Sequence, residues 1–136
     1  MENNSFKKKK NEKISTGSYD FNKWLYGGYE KDVITMLVGE PGSGKTNFCV
    51  LLACSQAKKD KKVLFIDTEG GFSIDRVKQL LGKDKLSEEI SKIIENIFVL
   101  ECSDFKEQEK VFENLFNKID KNQVNCIIVD GMAMLY

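Results

Sequence analysis

Apolar positions follow two rhythms along this chain. Short continuous runs at residues 33–38 (VITMLV), 63–66 (VLFI), 97–100 (IFVL) and 124–129 (VNCIIV) have the length and β-branched content of buried strands. Between them, apolar residues recur at helical spacing. Residues 45–59 predict a helix with Phe48, Cys49, Leu51 and Leu52 on its inner face. Residues 87–96 predict another, through Ile90, Ile93, Ile94 and Ile97. Val111, Phe112, Leu115, Phe116 and Ile119 form the stripe of a further helix, opened by Asp104 with Glu107 in the pattern of a capping box. Ser73 is placed to cap a helix reaching Leu81 and stopped by Gly82, and a short helix over 20–25 is closed by Gly27 and Gly28.

Strands alternating with helices imply βαβ units, hence an α/β fold whose parallel sheet carries helices on both faces. At 136 residues the chain is one domain, without internal repeat or interdomain linker. Residues 1–13 hold Lys7, Lys8, Lys9 and Lys10 and predict a flexible basic arm; the core is assigned to residues 14–136. Such an arm is either a solvated tail or a phosphate contact. Lys plus Arg balance Asp plus Glu at 21 each, so net charge selects no partner. No apolar run approaches the ~20 residues of a membrane-spanning helix, and the polar N-terminus is not a secretory signal. Cys49, Cys54, Cys102 and Cys126 include no C-x-x-C pair and the chain has no histidine, which argues against zinc and for a reducing, cytoplasmic setting.

The chemistry concentrates after the first apolar run. Gly39-Glu40-Pro41-Gly42-Ser43-Gly44-Lys45-Thr46 fits the phosphate-binding pattern G-x-x-x-x-G-K-[ST] in full, with a strand predicted before it and a helix after. Its glycines let successive N–H groups converge on an anion, and the following helix adds its unpaired N–H groups and dipole. Lys45 is suited to the β- and γ-phosphates, the Thr46 hydroxyl to Mg²⁺, and Asn47 continues the segment, so the predicted ligand is ATP or a closely related nucleotide with Mg²⁺. Asp130 ends the last apolar run, the Walker-B pattern for holding Mg²⁺ through water. Asp67-Thr68-Glu69 follows the second run. Glu69 or Asp67 is placed to polarise an attacking water, and spacing alone equally allows two solvated loop carboxylates.

Taken in order, Ile14-Ser15-Thr16-Gly17-Ser18, Gly27-Gly28, GEPGSGKTN, VLFIDTEGGFSIDR and CIIVDGMAMLY resemble the core of the RecA/RadA recombinase family. They are most similar to its short archaeal members that lack a helix–hairpin–helix domain. The resemblance implies a RecA-like P-loop NTPase, with Glu69 as catalytic glutamate beside Lys45 and Arg76 packing against adenine. It further implies DNA as a partner, a RadA-type recombinase as a second, and a weak DNA-linked ATPase in repair and homologous recombination. Two other readings stand beside it. One is a nucleotide-gated regulator of a recombinase without useful turnover; the other is a RecA-like ATPase of the KaiC type, whose paired glutamates are replaced here by Asp67-Thr68-Glu69. The sequence ends six residues after Asp130, before the further strands and DNA-contact loops of the family. The expectation is therefore a C-terminally incomplete core, lacking the strand between the Walker-B and P-loop strands.

Overall fold

A continuous apolar run becomes a strand only where it finds a pairing edge and cover for both faces, and three of the four runs do so. The computed structural model describes residues 12–82, 87–115, 117, 119 and 123–132. Its elements follow as β1 (Lys13–Ile14), α1 (Tyr19–Trp24), β2 (Tyr29–Glu30), α2 (Lys45–Ala57), β3 (Val63–Asp67), α3 (Ile74–Leu80), α4 (Glu88–Glu95), β4 (Ile97–Glu101), α5 (Phe105–Glu113) and β5 (Cys126–Asp130). The strands β4-β3-β5 form a parallel sheet in that order. Val63 of the central strand lies level with Ile97 and Cys126, and Asp67 with Glu101 and Asp130.

Alternation along β3 feeds two cores. Val63 and Phe65 join Val50, Ala53 and Ala57 of α2, Val77 of α3, and Ile90 and Ile93 of α4. Leu64 and Ile66 face the other way, where Val111 and Phe112 of α5 and Leu115 pack over them. Helices on both faces explain why β3 is buried along its whole length and reads as apolar without alternation. Ser18, Ser73, Ser87 and Asp104 each cap a helix by accepting from a backbone N–H three residues on, at 3.4, 3.1, 3.3 and 2.8 Å. The return half of the capping box is shifted by one residue, since Glu107 accepts from the N–H and hydroxyl of Ser103, each at 2.8 Å.

Several expectations are corrected. Residues 33–38 form no strand, and Ile34 is 98% exposed. Their composition suits pairing, but they pair with none of the described strands. The fully buried face of α2 is Val50, Ala53, Cys54 and Ala57; of the four residues expected there, Cys49 and Leu52 pack half-buried against the same core, and Phe48 and Leu51 do not join it. The small side chains bring the helix close to the sheet, while Phe48 turns aside to pack on Phe21, with ring centroids 4.7 Å apart. Tyr26, at φ 54°, takes the left-handed position expected of Gly27 in closing α1, and the N–H of Gly27 reaches the carbonyl of Asn22 at 2.7 Å. Lys13, assigned to the arm, pairs with Glu30 in the antiparallel bridge β1–β2. Residues 1–11, Phe116 and residues 133–136 lie outside the described residues.

Equilibrium urea unfolding separates the two kinds of apolar run. Phe65→Ala is expected to cost about 3–5 kcal/mol, whereas Ile34→Ala should stay within about 0.5 kcal/mol of wild type. A loss of core size at Ile34 would mean that residues 33–38 are packed in solution.

Candidate functional site

Parallel register brings the C-terminal ends of the three strands level, which sets Asp67 beside Asp130. These two carboxylates meet different fates. Asp67 is 1% exposed, and its oxygens accept from the N–H groups of Glu69 (3.1 Å), Gly71 (3.3 Å) and Phe72 (3.0 Å). It folds residues 68–72 around itself, while Glu69 is left exposed at the rim. Asp130 is also buried, but its Oδ2 has no hydrogen-bond partner. Burial first, and then the charge of Asp67, push its carboxyl above the ordinary 3.8; a hydrogen bond from Thr46 and the charges of Lys45 and Arg76 oppose this.

The loop after β3 is latched onto the end of β5. The Thr68 hydroxyl reaches the carbonyls of Asp130 (3.0 Å) and Gly131 (2.7 Å), and the Thr68 N–H donates to the Asp130 carbonyl at 3.2 Å. Space there is minimal. A Cβ at Gly131, whose φ is 90°, would lie 2.3 Å from the Thr68 hydroxyl oxygen and 2.8 Å from Cγ of Glu69. A Cβ at Gly71 would lie 2.7 Å from Cγ2 of Thr46, with Oδ2 of Asp130 at 3.6 Å. Thr46 and Asp130 thus meet at Gly71, and Glu69 lies against Gly131, the residue after Asp130.

The start of α2 supplies the positive side. Ser43 N–H closes a turn onto the Glu40 carbonyl at 3.1 Å, and the Lys45 ammonium is wrapped by the carbonyls of Gly39 and of Glu40 (2.8 Å). Unlike α1, α3, α4 and α5, α2 has no side-chain cap: Gly44 stands at its N-cap with φ 93°, and its first turn holds no acidic residue. Its terminal N–H groups and positive dipole end are left for an anion. Arg76 of α3 donates to the Asn47 side chain, which ties α3 to this end of α2. Cys49 sits nearby as an inert neighbour, its thiol pushed up to about 12 by burial and by the charges of Asp130 and Glu69.

Among the described residues no three His, Cys, Asp or Glu side chains converge as a metal cage. The donor set is instead one hydroxyl, Thr46, and one carboxylate with an unused buried oxygen, Asp130. That fits a hydrated Mg²⁺ shared with a phosphate, which keeps most of its own water. The sequence pattern singled out Lys45, Thr46, Glu69 and Asp130 as candidates, and it gave no sign of the structural part played by Asp67, Thr68, Gly71 and Gly131. The glycines after each acidic residue were the available signal.

The family model described as Rad51 matches residues 7–136. The chain belongs to the Rad51 family. Among curated members, it is 41% identical over 128 residues to a DNA repair and recombination protein RadB of Methanobrevibacter smithii, covering 93% of this chain and 52% of that relative. It is similarly 41% identical over 112 residues to one from Methanococcus maripaludis and 44% over 112 residues to one from Methanococcoides burtonii, covering 82% of this chain and 48% and 47% of those relatives. The chain thus spans about half the length of the curated relatives it matches. Within the Rad51-family match lie all the residues that converge here. None of the described helices is long and apolar enough to cross a membrane.

The raised Asp130 carboxyl has a signed consequence. The folded chain holds this proton more tightly than the unfolded chain, so its stabilising contribution is complete below about pH 4 and is lost as pH rises through the folded value. Asp130→Asn is therefore expected to raise the melting temperature at pH 7 and to change it little at pH 4. Equal shifts at the two pH values would show that charge burial is not the cause.

Proposed function

We propose that this Rad51-family chain carries the nucleotide site of a RecA-like P-loop ATPase acting in DNA repair and homologous recombination. The observation that carries the reading is the meeting of Thr46 and Asp130 at Gly71 beside an uncapped α2 N-terminus, with Asp130 Oδ2 buried and unpartnered and Glu69 against Gly131. The likeness to proteins named DNA repair and recombination protein RadB supports the biological setting.

The residue roles follow from position and chemistry. Gly39, Glu40, Pro41, Gly42, Ser43 and Gly44 form the loop whose N–H groups receive the phosphates of ATP. Lys45 releases its carbonyl partners to neutralise the β- and γ-phosphate oxygens. Thr46 and Asp130 hold Mg²⁺, which when bound neutralises charge across the phosphates. Glu69, exposed at the rim and able to lie against Gly131 only because that residue has no Cβ, accepts the proton of a water through its carboxylate. Asn47 accepts from the Arg76 guanidinium beside the start of α2, which holds the flat face of Arg76 ready for a base.

Turnover is assigned to the longer protein. The run at 33–38 is unpaired, and β5 forms one edge of the sheet. A strand inserted between them would pair both, completing the phosphate-binding loop on a rigid support. DNA contact and any RadA-type partner are likewise proposed for the longer form.

Titration calorimetry with Mg·ATP tests the site on the 136-residue chain. Wild type is expected to bind, with Lys45→Ala and Asp130→Asn weakened at least about tenfold, the loss of one charge-assisted contact. A folded wild-type chain that takes up no nucleotide would sink the proposal. In the longer protein, Glu69→Gln should keep ATP binding and lose hydrolysis by about 10²-fold or more. Recombination function that survives this loss would favour a nucleotide-gated regulator over an ATPase.

A further inference from the structure

The loop after β3 is anchored at several points, which differ in what they fix it to. On its inner side the Asp67 carboxylate gathers the N–H groups of Glu69, Gly71 and Phe72. At its far end the Phe72 ring packs on Phe65 of β3, with centroids 5.1 Å apart. Both anchors tie the loop to its own strand and to the core beneath it. Thr68 reaches the other way, to the end of β5. Its N–H continues the pairing of β3 with β5 by one bond, to the Asp130 carbonyl at 3.2 Å. Its hydroxyl shares a single proton between that same carbonyl at 3.0 Å and the Gly131 carbonyl at 2.7 Å.

The loop does not need this hydroxyl in order to fold. Asp67 and Phe72 shape residues 68–72 without it, and the Thr68 N–H already meets Asp130. What the hydroxyl adds is a hold on Gly131, one residue past the strand. Gly131 is also where Glu69 rests: a Cβ there would lie 2.8 Å from Glu69 Cγ and 3.1 Å from its Oε1. Glu69 is exposed, so burial does not fix its carboxylate. A group that activates water must be held to within about 0.5 Å of its productive place. We infer that Thr68 is a positioning residue: its hydroxyl clamps the ends of β3 and β5 together and so sets the Glu69 carboxylate relative to that of Asp130. The inference rests on the nucleotide-site reading above, in which Asp130 holds Mg²⁺ and Glu69 takes the proton of water. Thr68 acts through Glu69 and needs no contact with nucleotide. Nucleotide binding belongs to the start of α2 and to Asp130, so loss of the clamp separates kcat from KM.

Steady-state hydrolysis by the longer protein, with Mg·ATP calorimetry in parallel, tests this. Thr68→Val keeps the size and β-branching and removes the hydroxyl. It is expected to lower kcat about tenfold or more, with KM and nucleotide affinity within about twofold of wild type. Thr68→Ser keeps the hydroxyl and should retain most of kcat. In a Glu69→Gln background, Thr68→Val should bring no further loss, because no base remains to be placed. An unchanged kcat in Thr68→Val would overturn the inference. So would a further tenfold loss on top of Glu69→Gln, or a fall of affinity and kcat together that Thr68→Ser does not relieve, the mark of a residue that only holds the fold. A wild type that binds Mg·ATP without hydrolysing it overturns the clamp and leaves the nucleotide site standing. A folded wild type that binds no nucleotide sinks the site itself, and the clamp with it.

Discussion

The pairing of β3 with β5 sets Asp67 level with Asp130, and the rest of the site depends on how the chain copes with two buried carboxylates side by side. Like charges brought together out of water repel and lose hydration, so each needs compensation. Asp67 finds it in three backbone N–H groups, and in accepting them it bends residues 68–72 into a fixed loop. Asp130 finds only partial compensation, and an oxygen remains unpartnered. One carboxylate is thus absorbed by architecture while its neighbour keeps a buried oxygen without a partner. Glu69 owes its place to the first, and the fit to a cation arises from the second.

Across the site the same division holds for the helix ends. The helices α1, α3, α4 and α5 satisfy their first N–H groups with Ser or Asp side chains, and α2 does not. An uncapped helix with no acid in its first turn is a local sacrifice of stability of the kind found where function competes with folding. The thirteen residues of α2 recover it elsewhere, through the small, fully packed face of Val50, Ala53, Cys54 and Ala57.

Much of this was readable in the sequence because it is local. The caps at Ser73 and Asp104 and the runs of β3, β4 and β5 depend on a few neighbouring residues. Membership of the recombinase family followed from several ordered motifs. What was missed depends on distant partners. The run at 33–38 is as apolar as β3, yet a strand is a relation between segments, and its composition does not reveal whether an edge is present. The face of α2 was read only in part, through Cys49 and Leu52, because large side chains outweigh small ones in an apolar pattern, while close approach to a sheet favours Ala and Cys. The bridge of Lys13 and Ile14 with Glu30 and Tyr29 is too short to leave any periodicity. The same is true of Thr68 and Gly131, whose closeness exists only after β3 and β5 have paired.

The exposed run Val33-Ile34-Thr35-Met36-Leu37-Val38 has a further consequence outside binding and catalysis. It holds no charge, proline or glycine, and it is rich in β-formers, which is the composition of segments that stack into cross-β aggregates. β5 adds an open sheet edge of its own, with Ile127 partly exposed. Solubility of this chain is therefore governed less by its overall charge balance than by whether six residues are kept covered, and a cell making it alone would depend on its chaperones to do so.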